Sequence, residues 1–197
     1  MKYLMDNSDI PKNKQYPQEL IADKDLEQYC KLAEIKSNII DFVDDGKNVF
    51  ICSKFTGNGK TSWAIKLLLK YFDSVWAGNG FRVRGMFVNV PTLLLQLKNF
   101  SHPVSEEYKR NLMNCDLVVF DDIADTTISN YDYSNLFMIV DYRLQNNLSC
   151  IFTSNQTTKE GLDKLLGSRI ASRIWNTSDI IQFNGKDRRH GSTSDNI

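Results

Sequence analysis

The chain has no excess of charge of either sign: its 197 residues hold 24 basic and 24 acidic side chains, a formal net charge of zero. Autonomous high-affinity binding of nucleic acid normally shows as a basic excess, because neutralising phosphates dominates the affinity. Any contact with DNA is therefore expected to be local, weak or assembled from several subunits. Long apolar runs are lacking too, since none approaches the ~18 residues a membrane-spanning helix needs. The opening residues, MKYLMDNSDIPKNKQYPQ, have no apolar centre of the secretory kind. A cytoplasmic protein with no membrane partner is expected. Cys30, Cys52, Cys115 and Cys150 form no Cys-x-x-Cys pair, which argues against zinc, and a cytoplasmic setting argues against disulfides. Three of them lie in or beside apolar runs, where a reduced cysteine packs as a small hydrophobe. Neither an internal repeat nor a linker divides the chain.

What is present is average in bulk, with 42% hydrophobic and 24% charged residues, as in a single globular domain. Residues 1–18 are polar and proline-punctuated, and read as a flexible, extended N-terminal arm. Residues 19–45 read as helical, with Leu26, Tyr29, Leu32, Ile35, Ile39 and Phe42 at spacings of three and four. Short apolar strands are expected at 48–53, 85–90, 117–120, 149–153 and 180–183. Helices are expected from the glycine-rich loop to Phe72, from Pro91, from a Ser105 cap to Asn114, around 134–145 and over 158–175. This alternation implies a parallel sheet covered on both faces. The expected fold is α/β: three layers around a five-stranded parallel sheet, over residues 19–184, followed by a polar tail at 185–197.

The strongest chemical signal is Gly57-Asn58-Gly59-Lys60-Thr61-Ser62, placed between an apolar strand and a helix. That is the context of a phosphate-binding loop. Gly57 and Gly59 allow backbone conformations closed to other residues, so successive N–H groups can point at phosphate oxygens. Lys60 is expected to reach the β- and γ-phosphates of ATP, and Thr61 to hold Mg2+ through its hydroxyl. Lys54 stands where the usual pattern has its first glycine. The acidic partner of such a loop is Leu117-Val-Val-Phe-Asp121-Asp122. Asp121 is expected to bind Mg2+, and Asp122 to orient or deprotonate the attacking water. Asn155, at the end of another apolar strand, is suited to position that water. Arg169 and Arg173 lie four apart, on one helical face. There they are candidates for insertion into a neighbouring subunit's ATP site. Arg188 and Arg189 are weaker candidates for contacting the nucleotide in cis.

With these residues in hand, the chain resembles the AAA+ ATPase domain of the DnaC/DnaI-type helicase loaders, and most of all their short phage-encoded relatives. The resemblance rests on Asp9-Ile-Pro-Lys12, Thr56-Gly-Asn-Gly-Lys-Thr61, Asp116-Leu-Val-Val-Phe-Asp-Asp-Ile123, Thr153-Ser-Asn155, Leu166-Gly-Ser-Arg-Ile-Ala-Ser-Arg173 and Phe183-Asn-Gly-Lys-Asp-Arg-Arg189. It implies an AAA+ domain with little or no C-terminal lid, self-association into an oligomer, and slow ATP hydrolysis stimulated by oligomerisation or DNA. Its implied partners are a replicative DNA helicase and single-stranded DNA. It puts Arg173 at the arginine-finger position, Asn155 at the sensor 1 position and Arg189 near the sensor 2 position. Ile10-Pro11 would lie near the adenine pocket, and Lys98, Asn99 and Phe100 in a stretch associated with single-stranded DNA. No counterpart of the separate helicase-binding domain of the long relatives is expected in this sequence, so a helicase would be gripped through another surface or through a partner protein. Three alternatives share the phosphate loop: an IstB-type transposition regulator, a P-loop small-molecule kinase, and a nucleotide-dependent adaptor with little turnover. The Ser154-Asn155 ending and the Gly-Ser-Arg-x-x-x-Arg block favour AAA+ over a kinase.

Overall fold

The computed structural model of the chain describes residues 2–15, 17, 23–75, 82–98, 103–125 and 128–185. Five strands carry the core: β1 (Asn48–Cys52), β2 (Gly85–Asn89), β3 (Leu117–Asp121), β4 (Ser149–Ser154) and β5 (Ser178–Gln182). All their pairings are parallel, in the spatial order β2-β3-β4-β1-β5. Strands buried on both faces read as continuous apolar runs, and β1, β3 and β4 are buried along their whole length.

Alternate side chains feed two cores. Val49, Ile51, Phe87, Leu117, Val119 and Ile151 face a layer containing α2 (Leu26–Ser37), α3 (Ile39–Asp44) and α4 (Lys60–Ser74). Phe50, Cys52, Met86, Val88, Val118, Phe120 and Phe152 face the other layer. That layer contains α5 (Val90–Lys98), α6 (Pro103–Asn114), α7 (Asn130–Gln145), α8 (Lys159–Leu166) and α9 (Ser168–Thr177). Helix α4 lies so close to β2 that a Cβ on Gly85 would sit 2.7 Å from Leu68 Cδ1 and 2.9 Å from Phe72 Cε1. Among the described residues, no helix is long and apolar enough to cross a membrane.

Several boundaries differ from expectation. The segment over 19–45 is not one helix: a 3-10 turn at Asp23–Asp25 leads into α2, and Asn38 separates α2 from α3. The stretch 158–175 breaks at Gly167, whose φ of 81° is left-handed. Helix α6 opens at Pro103, before the expected Ser105 cap, where proline loses no helical hydrogen bond. Helix α7 starts earlier than expected, at a capping box in which Ser129 and Asp132 satisfy each other's backbone N–H groups.

The largest correction concerns the amino-terminal arm. Residues 2–15 are not an extended, flexible arm but a strap docked on the sheet. They include a short helix, α1 (Lys2–Asp6), and bury Leu4 and Ile10 in the α4-side core. The Ser8 carbonyl accepts from the Phe87 N–H of β2 at 2.7 Å, and Asp9 hydrogen-bonds Tyr108 of α6. Ile10 therefore packs by the β2 edge, with β3 and β4 lying between β2 and the strand that leads into the phosphate loop. The apolar residues Tyr3, Leu4 and Met5 are consecutive and Ile10 stands alone, so they form no periodicity and the docking left little trace in the pattern.

Candidate functional site

The carboxyl ends of β1, β3 and β4 converge on one side of the sheet. Because β4 lies between β1 and β3, its last residues sit between the phosphate loop and the acidic pair. Ligands of open α/β sheets bind at such strand ends. The loop after β1 takes positive φ at Gly57 (68°) and Gly59 (102°), and Gly59 is the N-cap of α4. Positive φ does not fall at Lys54, which is exposed. The missing glycine is thus at a position whose backbone other residues adopt, and Lys54 leaves the loop geometry intact.

Inside the loop, Asn58 is buried and donates through Nδ2 to Ser53 Oγ at 2.5 Å and to the Gly185 carbonyl at 3.3 Å. Asp25 in turn accepts from the Asn184 and Gly185 N–H groups. The loop is thereby tied to the segment that follows β5. Lys60 is 5% exposed, and its ammonium donates to the Phe55 carbonyl at 2.9 Å. Burial pushes it below the ordinary lysine range, against the opposing pull of Asp122 and Asp125. Ser62 lies in the first turn of α4.

The acidic centre is built on Asp121, which is fully buried at the end of β3. Its Oδ1 accepts from Thr61 Oγ1 at 2.8 Å and from Thr153 Oγ1 at 2.7 Å. Its Oδ2 is buried without a hydrogen-bond partner, and the Lys14 ammonium stands 3.9 Å away. Asp122 turns out of the strand at φ 57°, and its N–H donates to Thr153 Oγ1 at 3.0 Å. Burial, then Asp121 and Asp125, raise its carboxyl to about 6. Asn155 donates to Asp125 Oδ1 at 2.7 Å.

Magnesium fits this donor set. One buried carboxylate oxygen lacks a hydrogen bond, and the Thr61 hydroxyl lies on the same carboxylate. No cluster of three or more His, Cys, Asp or Glu suited to a metal occurs among the described residues. A site with few protein ligands suits Mg2+, which keeps waters and substrate phosphate oxygens in its shell.

The structure thus joins Lys60, Thr61, Asp121, Asp122 and Asn155 around the strand ends. It does not bring Arg173 into that network: Arg173 projects from α9, 43% exposed, and pairs with Asp141 of α7 at 2.6 Å. Arg169 and Arg173 line a separate cleft of about 880 Å³ with Phe137, Lys159, Ser172 and Asn176. Arg188, Arg189, Asn99 and Phe100 lie outside the described residues, and Lys98 is the last residue of α5. Sequence reasoning missed Thr153 as a hub, Asp125 as the Asn155 partner and Asn89, whose Nδ2 lies 3.5 Å from Asp122 Oδ2. A polar residue at a buried strand's carboxyl end was the available signal for Thr153 and Asn89. Burial also pushes the Cys52 thiol up to about 12 and Cys115 to about 11, so these cysteines are inert packing groups.

The model of the IstB-like ATP binding proteins matches residues 9–195. The chain belongs to that family. No curated protein matches the sequence of this IstB-like chain. Among solved structures, the DnaC helicase loader superposes with a TM-score of 0.74 at 19% identity, over 88% of this chain and 100% of that one. DnaI gives 0.70 at 19% identity, over 89% and 95%. AMPPCP-bound DnaA from Aquifex aeolicus gives 0.64 at 15% identity, over 83% of this chain and 48% of that one. At these identities the likeness establishes the fold alone, helices on both faces of a five-stranded parallel sheet.

Proposed function

We propose that this IstB-like chain binds ATP with magnesium at Gly57–Ser62, hydrolyses it in a site completed by a second copy, and assists the loading of a replicative DNA helicase. The observation that carries the ATPase reading is the hydrogen-bonded group of Thr61, Asp121 and Thr153, with Lys60 in the loop and Asp122 turned out beside it. Gly57, Asn58, Gly59 and Ser62 supply the cradle, and Lys60 leaves the Phe55 carbonyl to take the β- and γ-phosphates. Thr61 and Asp121 would hold magnesium, which neutralises charge developing on the phosphate oxygens. Asp122 orients a water for in-line attack and accepts its proton as the oxygen–phosphorus bond forms and the bond to ADP breaks. Asn155 fixes the water from the β4 side, and Arg189 would contact the nucleotide in cis. Arg173 has no contact with the acidic group of its own chain, which suits a finger that serves a neighbour; such fingers are worth about 10³–10⁵ in turnover.

The helicase-loading part rests on the likeness to the DnaC helicase loader over nearly the whole chain. Single-stranded DNA is the accompanying ligand, carried locally because the chain has no basic excess. A second reading, an IstB-type regulator of transposition, is kept beside it because the chain matches the IstB-like family over residues 9–195. Mixing Asp122→Asn and Arg173→Ala proteins, each inactive alone, should restore part of the ATPase activity in mixed oligomers. No rescue from two folded variants would sink the shared site. The partner is tested by capture of the purified replicative helicase with ATP and magnesium. Lys60→Ala should abolish that capture; capture of a transposase instead would favour the second reading.

A further inference from the structure

Lys14 enters the strand-end cluster from the docked strap, outside every motif that builds the phosphate site. Its ammonium stands 3.9 Å from Asp121 Oδ2, the buried carboxylate oxygen that no hydrogen bond satisfies. Its placement is supported along the strap: Ile10 is buried, Ser8 is bonded to β2, and Asp9 reaches Tyr108. The ammonium also rests over the Phe87 ring, 5.7 Å from its centroid, in cation–π range. The Lys14 side chain is 44% exposed, so it can swing into water while the strap backbone stays docked.

We propose that Lys14 is a positioning residue of the magnesium site: it is the counter-cation of Asp121 in the nucleotide-free protein and withdraws when Mg2+ arrives with ATP. The proposal rests on the reading of Asp121 as a magnesium ligand. A buried carboxylate needs a compensating charge, and Lys14 supplies one while the metal is absent. A divalent ion bound beside the same oxygen would face a positive charge within a few ångströms, at a strength that a partly buried setting screens only in part. Occupation by the two cations is therefore competitive. Lys14 lowers the affinity for free magnesium and makes tight metal binding depend on the negative charge the nucleotide brings. The site then discriminates metal-bound nucleotide from metal alone.

The test is binding of a fluorescent ATP analogue to the full chain, titrated with magnesium chloride. Lys14→Met should lower the half-saturating magnesium concentration by about fivefold, an order-of-magnitude expectation for a half-exposed competing charge. Lys14→Arg, which keeps the cation, should stay near the wild-type value. An unchanged or raised half-saturation in Lys14→Met overturns the proposal. Failure of the wild type to bind nucleotide at any magnesium concentration overturns it together with the ATP-binding reading, and is recognised because the unaltered control fails. A second measurement needs no variant. Amine-reactive labelling of Lys14, read by mass spectrometry against exposed Lys31, should rise severalfold when magnesium and nucleotide are added. An unchanged labelling rate overturns the proposal.

Discussion

At Asp122 the chemistry proposed for a single side chain and the stability of the fold pull in opposite directions. Burial and the neighbouring carboxylates of Asp121 and Asp125 raise it from 3.8 to about 6, so the fold resists its ionisation. A group raised in the folded state stabilises fully below its unfolded value, and that contribution is lost as pH rises through about 6. Asp122→Asn stays neutral and tolerates the left-handed backbone at this position. In EDTA at pH 7.5 it should be more stable than wild type by about 1–2 kcal/mol, after discounting for the half-exposed setting. The gap should close towards pH 4, as denaturation curves at both pH values will show. A gap that does not vary with pH would mean that charge is not its origin. The same variant should lose hydrolysis, since the amide accepts no proton. Wild-type hydrolysis should rise with pH through a midpoint at or below about 6, because magnesium at Asp121 offsets the charge that raises Asp122.

Among the elements, the junction of α6, α7, β3 and β4 is organised by Arg143, which is fully buried. It donates to the carbonyls of Leu112 and Cys115, at 2.9 and 2.8 Å, and of Ser149, at 2.8 Å. It thus closes the carboxyl end of α6 and ties α7 to the start of β4. Arg143→Met keeps much of the volume but leaves these carbonyls unpaired. Unsatisfied buried groups cost ~1–3 kcal/mol each, and because these share one site the total should be about 3–5 kcal/mol. Urea denaturation measures it; a loss below about 1 kcal/mol would mean that water replaces the guanidinium. An arginine in the polar half of a helix repeat reads as solvated, so nothing in the pattern of α7 announced this. The apolar strand runs, by contrast, were legible because both faces of the sheet are covered. Helix breaks were less so: Asn38 and Gly167 interrupt stretches whose apolar spacing continues across them. At the site, the loop and the Asp121–Asp122 pair were readable as local patterns. Thr153 was legible only as a polar residue at a buried strand's end, and Asp125 and Lys14 not at all, because their roles arise only when β4 and the strap fold beside β3.

At the scale of the whole molecule, a net charge of zero conceals an uneven distribution. The strand ends carry Asp121, Asp122 and Asp125 beside Lys14 and Lys60, an excess of one negative charge, while the α8–α9 cleft carries Lys159, Arg169 and Arg173 beside Asp141 and Asp163, an excess of one positive charge. Two different surfaces of opposite sign favour head-to-tail contact between copies, which closes into a ring or runs on as a filament. In the single chain Arg173 is engaged by Asp141, so a contact through Arg173 has first to break that pair. ATP adds negative charge at the strand ends and should therefore drive association more strongly than raised protein concentration alone. Sedimentation velocity should show larger species with ATP and magnesium than without. Raising salt from 50 to 300 mM should reverse much of the shift, because exposed charges more than about a Debye length apart are screened. Arg173→Ala should weaken the nucleotide effect, whereas Asp141→Asn, which frees the arginine, should strengthen it. Association that is insensitive both to salt and to Arg173 would place the contact on an apolar face instead, where the exposed Tyr131 and Met138 of α7 are the nearest candidates.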